Sequence, residues 1–96
     1  MNEFNPARKI ADEQMHHVSG GREFTLREAE NIEETDHRAM ELTEMLKKRS
    51  YDELQKFQAD YYEAAQRYTR SVLEGRLAPD SILFSDFFET FYGWPQ

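Results

Sequence analysis

Cysteine is absent from this chain of 96 residues. A disulfide framework, a zinc–thiolate centre and a cysteine nucleophile are therefore excluded, and the composition suits a reducing compartment.

Long apolar runs are also absent. None approaches the ~20 residues that a membrane-spanning helix needs, and the opening stretch MNEFNPARKIADEQ lacks the apolar centre of a secretory signal peptide. We therefore expect a cytoplasmic protein with no membrane partner.

Positive charge is scarce, with 12 Lys and Arg against 19 Asp and Glu and a formal net charge of −7. Affinity for nucleic acid comes mostly from Lys and Arg that neutralise phosphates, so direct nucleic-acid binding is not expected. An acidic balance favours solubility or a basic partner surface.

The length suits one domain, 1–96, with one modest core. Seven Phe, five Tyr and one Trp argue against full disorder.

Proline and glycine are few, at three and four residues respectively, and they mark the ends of helical segments. Asn5 can cap a helix whose first residue is Pro6, and Gly20 and Gly21 can end it. These signals predict a short helix over 6–18. Its apolar face consists of Ala7, Ile10, Ala11, Met15 and Val18.

A long helix is predicted over 25–49. Thr25 and Glu28 have the spacing of a capping box. Acidic residues are concentrated in the first half of the segment, and three basic residues stand at its end. The helix dipole favours this distribution. The residues at helical spacing on its apolar stripe are Phe24, Ile32, Thr35, Ala39, Leu42, Thr43 and Leu46.

A second long helix is predicted over 51–74. Ser50 and Glu53 again have capping-box spacing, and Gly75 suits a helix C-terminus. Apolar positions step by seven within each long helix, but the step from the first helix to the second is eight. That slip favours a tight helical hairpin over one continuous helix of about fifty residues. The apolar arc comprises Leu54, Phe57, Tyr61, Ala64, Ala65, Tyr68 and Val72.

The aromatic stretch ILFSDFFETFYGWPQ ends the sequence. Start signals near Pro79 and the Gly93 break predict an amphipathic helix over 80–92. A two-helix hairpin leaves one face open, so these rings either complete the core or serve self-association. Alternatively, they enter the groove of a partner at the i, i+4, i+7 spacing. Packing on the hairpin is expected of Phe84, Phe87, Phe88 and Phe91. The predicted partner-binding residues are Phe87, Phe88, Phe91, Tyr92 and Trp94, with Trp94 as the expected exposed anchor.

The expected fold is therefore all-α. Two long antiparallel helices form a hairpin, and shorter N- and C-terminal helices flank it in a small bundle. This architecture provides helical faces for contacts with other proteins, but a chain of this length has little room for an internal active-site cavity.

Histidines and carboxylates offer two candidate metal sites. Glu34 and His37 have the Glu-x-x-His spacing of di-iron bundles, but one chain supplies no second motif and His37 faces away from the apolar stripe. Glu13, His16 and His17 have ligand spacing near the end of the first helix, where histidines also stabilise the helix dipole. Neither arrangement predicts a metal centre.

Two acidic pairs, Glu30-x-x-Glu33 and Asp60-x-x-Glu63, resemble the paired motifs of all-α nucleotide pyrophosphohydrolases of the MazG type. The resemblance implies an enzyme whose helical carboxylates hold Mg²⁺ against a phosphate chain. It covers only the acids, because polar residues surround the second pair where that family has a strongly apolar helix. Both pairs also suit solvated helix faces.

No serine lies in a nucleophile elbow and no phosphate-binding loop is present, so we expect a non-enzymatic protein without a cofactor. The predicted function is protein–protein interaction of the adaptor or inhibitor type, with a protein partner or a second copy. One alternative is a small acidic inhibitor, of the kind carried by phages and mobile elements, that blocks a nucleic-acid-processing enzyme. The Mg²⁺-dependent pyrophosphohydrolase is the second alternative. The acidic face for the inhibitor consists of Glu28, Glu30, Glu33, Glu34 and Asp36.

Overall fold

The computed structural model describes residues 21–96, which form three α-helices and contain no β-strand. The helices are α1 (Leu26–Arg49), α2 (Tyr51–Leu73) and α3 (Phe84–Phe91). The all-α prediction is confirmed for this part of the chain. None of these three helices combines the length and the apolar character needed to cross a bilayer. The predicted helix over 6–18 lies outside the described residues, as do Glu13, His16 and His17.

The start of α1 carries the predicted capping box. The Thr25 hydroxyl accepts a hydrogen bond from the N–H of Glu28 at 3.0 Å, and the Glu28 carboxylate accepts one from the N–H of Thr25 at 2.9 Å. The two bonds satisfy N–H groups that have no partner within the helix. The first turn of α1 is thereby fixed to the residue that precedes it.

A single extended residue, Ser50, separates α1 from α2. Its φ of −159° and ψ of 116° interrupt the helical backbone, which excludes one continuous helix. The Ser50 hydroxyl accepts a hydrogen bond from the N–H of Glu53 at 3.2 Å, so it caps α2 as predicted. The Glu53 side chain does not return to Ser50. It pairs with Arg49 at 2.7 Å.

Helix α3 begins at Phe84, later than the predicted start at residue 80. The backbone of Asp80 has a φ of 60°, in the left-handed region. The N–H of Ser81 bonds to the carbonyl of Ala78 at 3.0 Å, which closes a turn. Residues 78–81 therefore turn instead of starting the helix, and the extended Leu83 becomes the N-cap.

The core forms where α3 packs against both long helices. Asn31 of α1 accepts a hydrogen bond from the N–H of Ser85 at 2.9 Å and donates one to its hydroxyl at 3.0 Å. The phenol of Tyr68 on α2 donates to the carbonyl of Ile82 at 2.8 Å. These bonds hold the start of α3 over the other two helices. The buried apolar residues are Ala39, Leu46, Leu54, Phe57, Ala64, Tyr68, Val72, Leu73, Phe84, Phe87 and Phe88.

Candidate functional site

The C-terminal aromatics form one cluster centred on Phe88. Its ring centroid lies 5.9 Å from Phe57 in an edge-on arrangement, 5.5 Å from Tyr61 and 4.6 Å from Trp94. Tyr92 stacks on it at 5.4 Å. Aromatic pairs at these separations add about 0.5–1.5 kcal/mol each to the free energy of burial. Phe88 is fully buried, so this cluster is part of the core.

Phe87 and Phe88 are among the predicted partner-binding residues, but the structure buries both. Their exposed fractions are 7% and 0%. Phe87 packs 5.4 Å from Tyr68, because α3 turns these rings toward the long helices. The expectation that Phe91 packs on the two long helices is wrong. Phe91 is 58% exposed, and its one aromatic contact in the described part of the chain is Phe87, at 5.0 Å.

Trp94 is half-buried and is not the exposed anchor that was expected. The φ of 88° at Gly93 is strained for any residue with a side chain, and it turns the chain back over the cluster. The Arg38 guanidinium then lies 4.1 Å from the centre of the indole ring, a cation–π contact. The indole Nε1 is buried and finds no hydrogen-bond partner among residues 21–96.

An open cleft of about 360 Å³ lies between α2 and the C-terminal segment. Phe57, Tyr92 and Trp94 supply its aromatic surface, and Pro95 and Gln96 complete that side. Its charged rim consists of Arg49, Glu53, Lys56 and Asp60. Arg49, the last residue of α1, pairs with Glu53 of α2 at 2.7 Å, and Lys56 pairs with Asp60 within α2 at 2.8 Å. The cleft therefore combines apolar area with both signs of charge, a composition suited to a peptide or side chain of mixed character.

Glu28 is not part of an exposed acidic face. It is fully buried, and the Arg22 guanidinium donates to its two carboxylate oxygens, each at 2.8 Å. The N–H of Asp80 donates to the same carboxylate at 3.0 Å. Arg22 also donates through Nε to the carbonyl of Leu77 at 3.0 Å. We call the set Arg22, Glu28 and Asp80 the latch, because it ties the start of α1 to the loop after α2.

The charge of Glu28 is stabilised by the same contacts. Burial alone would raise the pKa of this carboxyl, because it disfavours the ionised form. Hydrogen bonds from Arg22 and from the N–H groups of Thr25 and Asp80 outweigh burial and lower the pKa of Glu28 from 4.5 to about 2. Glu28 is thus a structural carboxylate, ionised at neutral pH.

The remaining acids of the predicted face lie at the surface of α1. Glu30, Glu33 and Glu34 are exposed, and no Lys or Arg of residues 21–96 forms an ion pair with them. Asp36 accepts a hydrogen bond from the phenol of Tyr61. Burial and this carboxylate together raise the pKa of Tyr61. Asp36 therefore joins α1 to α2, and the free acidic surface reduces to the three glutamates.

The acids that resemble the pyrophosphohydrolase motifs are not brought together as a metal site. Within residues 21–96, no group of three or more histidine or carboxylate side chains is placed to hold a metal ion. Asp60 pairs with Lys56 on its own helix. Glu34 and His37 are exposed on α1.

Comparison of the chain with protein-family models, curated proteins and solved structures finds no match. The geometry of the C-terminal surface and of the helix faces is therefore the basis for a functional proposal.

Two structural residues were missed by sequence reasoning. Arg22 precedes α1 without belonging to any periodic pattern, and Asp80 was interpreted as part of a helix start. They meet at Glu28 although Asp80 lies 52 positions from it along the chain. One signal was available, since a buried capping-box glutamate needs cationic compensation, but nothing local identifies the residue that supplies it.

Proposed function

We propose that this chain is a non-enzymatic protein–protein interaction protein, of the adaptor or inhibitor type, that binds its partner at the C-terminal end of α3. The binding surface consists of the exposed Phe91 and the cleft beside Tyr92 and Trp94. Phe91 is the observation that carries the proposal. It is 58% exposed on a helix whose other phenylalanines are buried.

A helical hairpin underlies this surface. Two contacts support an antiparallel arrangement of α1 and α2, which Ser50 links. Arg22, just before α1, donates its N–H to the carbonyl of Leu73 at the end of α2 at 3.3 Å, and Asp36 of α1 bonds to Tyr61 of α2. The sequence separation of contacting residues falls toward Ser50, as it does in a hairpin. The hairpin provides the rigid base on which α3 is mounted.

Phe91 is exposed and is also held against a buried ring, and both properties favour binding. Burying a whole Phe side chain stabilises by about 1.5–3 kcal/mol, so covering the exposed part would contribute roughly 1–2 kcal/mol to a complex. Its ring already packs on the buried Phe87 at 5.0 Å, so little side-chain entropy remains to be lost on binding. Phe and Trp are also enriched at the centres of protein interfaces.

The test compares two substitutions at exposed apolar positions. Phe91→Asp should abolish capture of a specific partner from a native lysate. Met40→Asp is the matched control, because Met40 is 65% exposed and lies on the side of α1 opposite Asn31, which contacts α3. Both variants should keep wild-type helicity by circular dichroism. Equal capture by the wild-type chain and Phe91→Asp would contradict the proposal, as would a loss of capture that Met40→Asp reproduces.

A second candidate is inhibition of a nucleic-acid-processing enzyme through Glu30, Glu33 and Glu34. The supporting observation is that these exposed acids have no ion-pair partner within residues 21–96. Replacing all three with Lys should then remove inhibition, and raising the salt concentration should weaken the complex. Inhibition that survives both changes would exclude this function.

A further inference from the structure

The solvent face of α2 carries a stripe that neither function above uses. Tyr51 and Tyr62 are each 67% exposed, eleven positions apart, and a glutamine follows each of them four positions later. At 100° per residue these residues lie on one side of the helix. We call this surface the Tyr–Gln stripe: Tyr51, Gln55, Gln58, Tyr62 and Gln66.

No charged residue interrupts the stripe. Charged residues make up 32% of the chain, yet the other positions of α2 within or beside the same arc are Ala59, Thr69 and Leu73. Stripe residues are exposed, so burial in the core that residues 21–96 form does not explain the missing charge. Depletion of charge and enrichment of Tyr are features of protein interfaces.

Each tyrosine is hydrogen-bonded to its glutamine within the helix. The Gln55 amide donates to the Tyr51 phenol at 3.3 Å, and the Gln66 amide donates to the Tyr62 phenol at 3.0 Å. Each phenol keeps its O–H to donate, and each glutamine keeps its carbonyl oxygen to accept. Both pairs therefore present one donor and one acceptor to a molecule that covers the stripe.

The order of these residues is self-complementary. Positions 51 and 66, like positions 55 and 62, lie symmetrically about a midpoint between Gln58 and Ala59. A second α2 laid antiparallel across that midpoint faces every tyrosine with a glutamine. We propose that the Tyr–Gln stripe is a two-fold interface with a second copy of this chain, in which each phenol donates to a glutamine carbonyl of the other copy.

This inference is independent of the proposed function, because the stripe and Phe91 are separate surfaces. The stripe spans about 22 Å of helix, so two copies bury roughly 400–500 Å² in total, below the 1,200 Å² of a typical stable interface. A dimer with so small an interface is accordingly weak and transient.

The two-fold axis allows a charge-pairing test at Gln58, since residues 58 of the two copies lie within one residue's rise of each other. Gln58→Glu and Gln58→Lys each place like charges together and should weaken self-association by about tenfold or more. An equimolar mixture of the two variants should associate again, with an affinity at least equal to that of the wild type. A foreign partner on the stripe cannot produce this reciprocal rescue.

The measurement is sedimentation equilibrium of the full-length chains from about 10 µM to about 1 mM. Glu34→Gln, a single charge change at an exposed position of α1, and Phe91→Asp should both self-associate like the wild type. A wild-type chain that stays monomeric throughout this range overturns the proposal. So does a mixture of the Gln58 variants that fails to associate, or a Gln58→Glu chain that associates as the wild type does. Loss of self-association in Phe91→Asp alone would assign the dimer to the C-terminal surface and also overturn it.

Discussion

Replacing Glu28 with glutamine should remove a large part of the stability of this fold. The substitution keeps the shape of the side chain but removes the negative charge, so the Arg22 guanidinium loses its counter-ion. Glu28 accepts hydrogen bonds from Arg22, Thr25 and Asp80, and an amide nitrogen cannot accept any of them. Removing one partner of a buried pair costs about 3–5 kcal/mol.

The lowered pKa of Glu28 leads to a similar value for the stability that this carboxylate contributes. Lowering the pKa from 4.5 to about 2 corresponds to about 3 kcal/mol of stability at neutral pH. The folded state binds this proton less tightly than the unfolded state, so the contribution is complete above about pH 5 and disappears as the pH falls toward 2. Small domains have total stabilities of about 5–15 kcal/mol, so the loss would be large.

The assay is urea unfolding followed by circular dichroism between pH 7 and pH 2.5. Glu28→Gln should unfold at lower urea at pH 7, and its difference from the wild type should shrink as the pH falls. Glu30→Gln, an exposed neighbour on α1, is the control and should differ from the wild type by less than about 0.5 kcal/mol. A cost below about 1 kcal/mol for Glu28→Gln at pH 7, or a cost that does not change with pH, would refute this account of the latch.

Other perturbations test the core, the caps and the buried phenols. Phe88→Ala should cost about 3–5 kcal/mol in urea unfolding because it empties the centre of the aromatic cluster, whereas Phe91→Ala should cost less than about 1 kcal/mol. Ser50→Ala removes the cap of α2 and should cost about 1 kcal/mol in the same assay, with Ser50→Asp restoring it. Burial raises the pKa of Tyr68 to about 12, so stability should fall as the pH rises from 10 to 12, and Tyr68→Phe should lose less than the wild type over that range. Alkaline unfolding curves that are identical for the two chains would contradict the role given to this phenol.

Local signals accounted for the long helices because local chemistry determines where they start and stop. Thr25 and Ser50 cap their helices through bonds to residues three positions away, which sequence spacing reveals. The change of the apolar step from seven to eight residues predicted a break between the two long helices, and the structure has that break at Ser50. Periodicity also assigned Tyr68 to the core, where its exposed fraction is 1%.

In the aromatic segment, helical spacing did not predict which rings are buried. Helical spacing places Phe87, Phe88 and Phe91 on one side of α3, but burial depends on how far the long helices extend beneath that side. Phe91 lies at the last position of α3 and remains exposed, while Trp94 is covered because Gly93 reverses the chain. Neither outcome follows from spacing, since both depend on tertiary contacts with α1 and α2. The mistaken role for Glu28 has the same origin, because its partner Asp80 is distant in sequence.

The latch also bears on how long the folded state persists. Its contacts join Arg22 and Glu28 to residues more than fifty positions away, so forming it requires closure of a long loop, whereas α1 and α2 can meet around the one-residue link at Ser50. Long-range contacts of this kind tend to form late in folding. Interactions absent from the folding transition state act mainly on the unfolding rate. We therefore expect the latch to lengthen the lifetime of the native state with little effect on how fast the chain folds. The unfolding limb of a stopped-flow chevron for Glu28→Gln measures this directly.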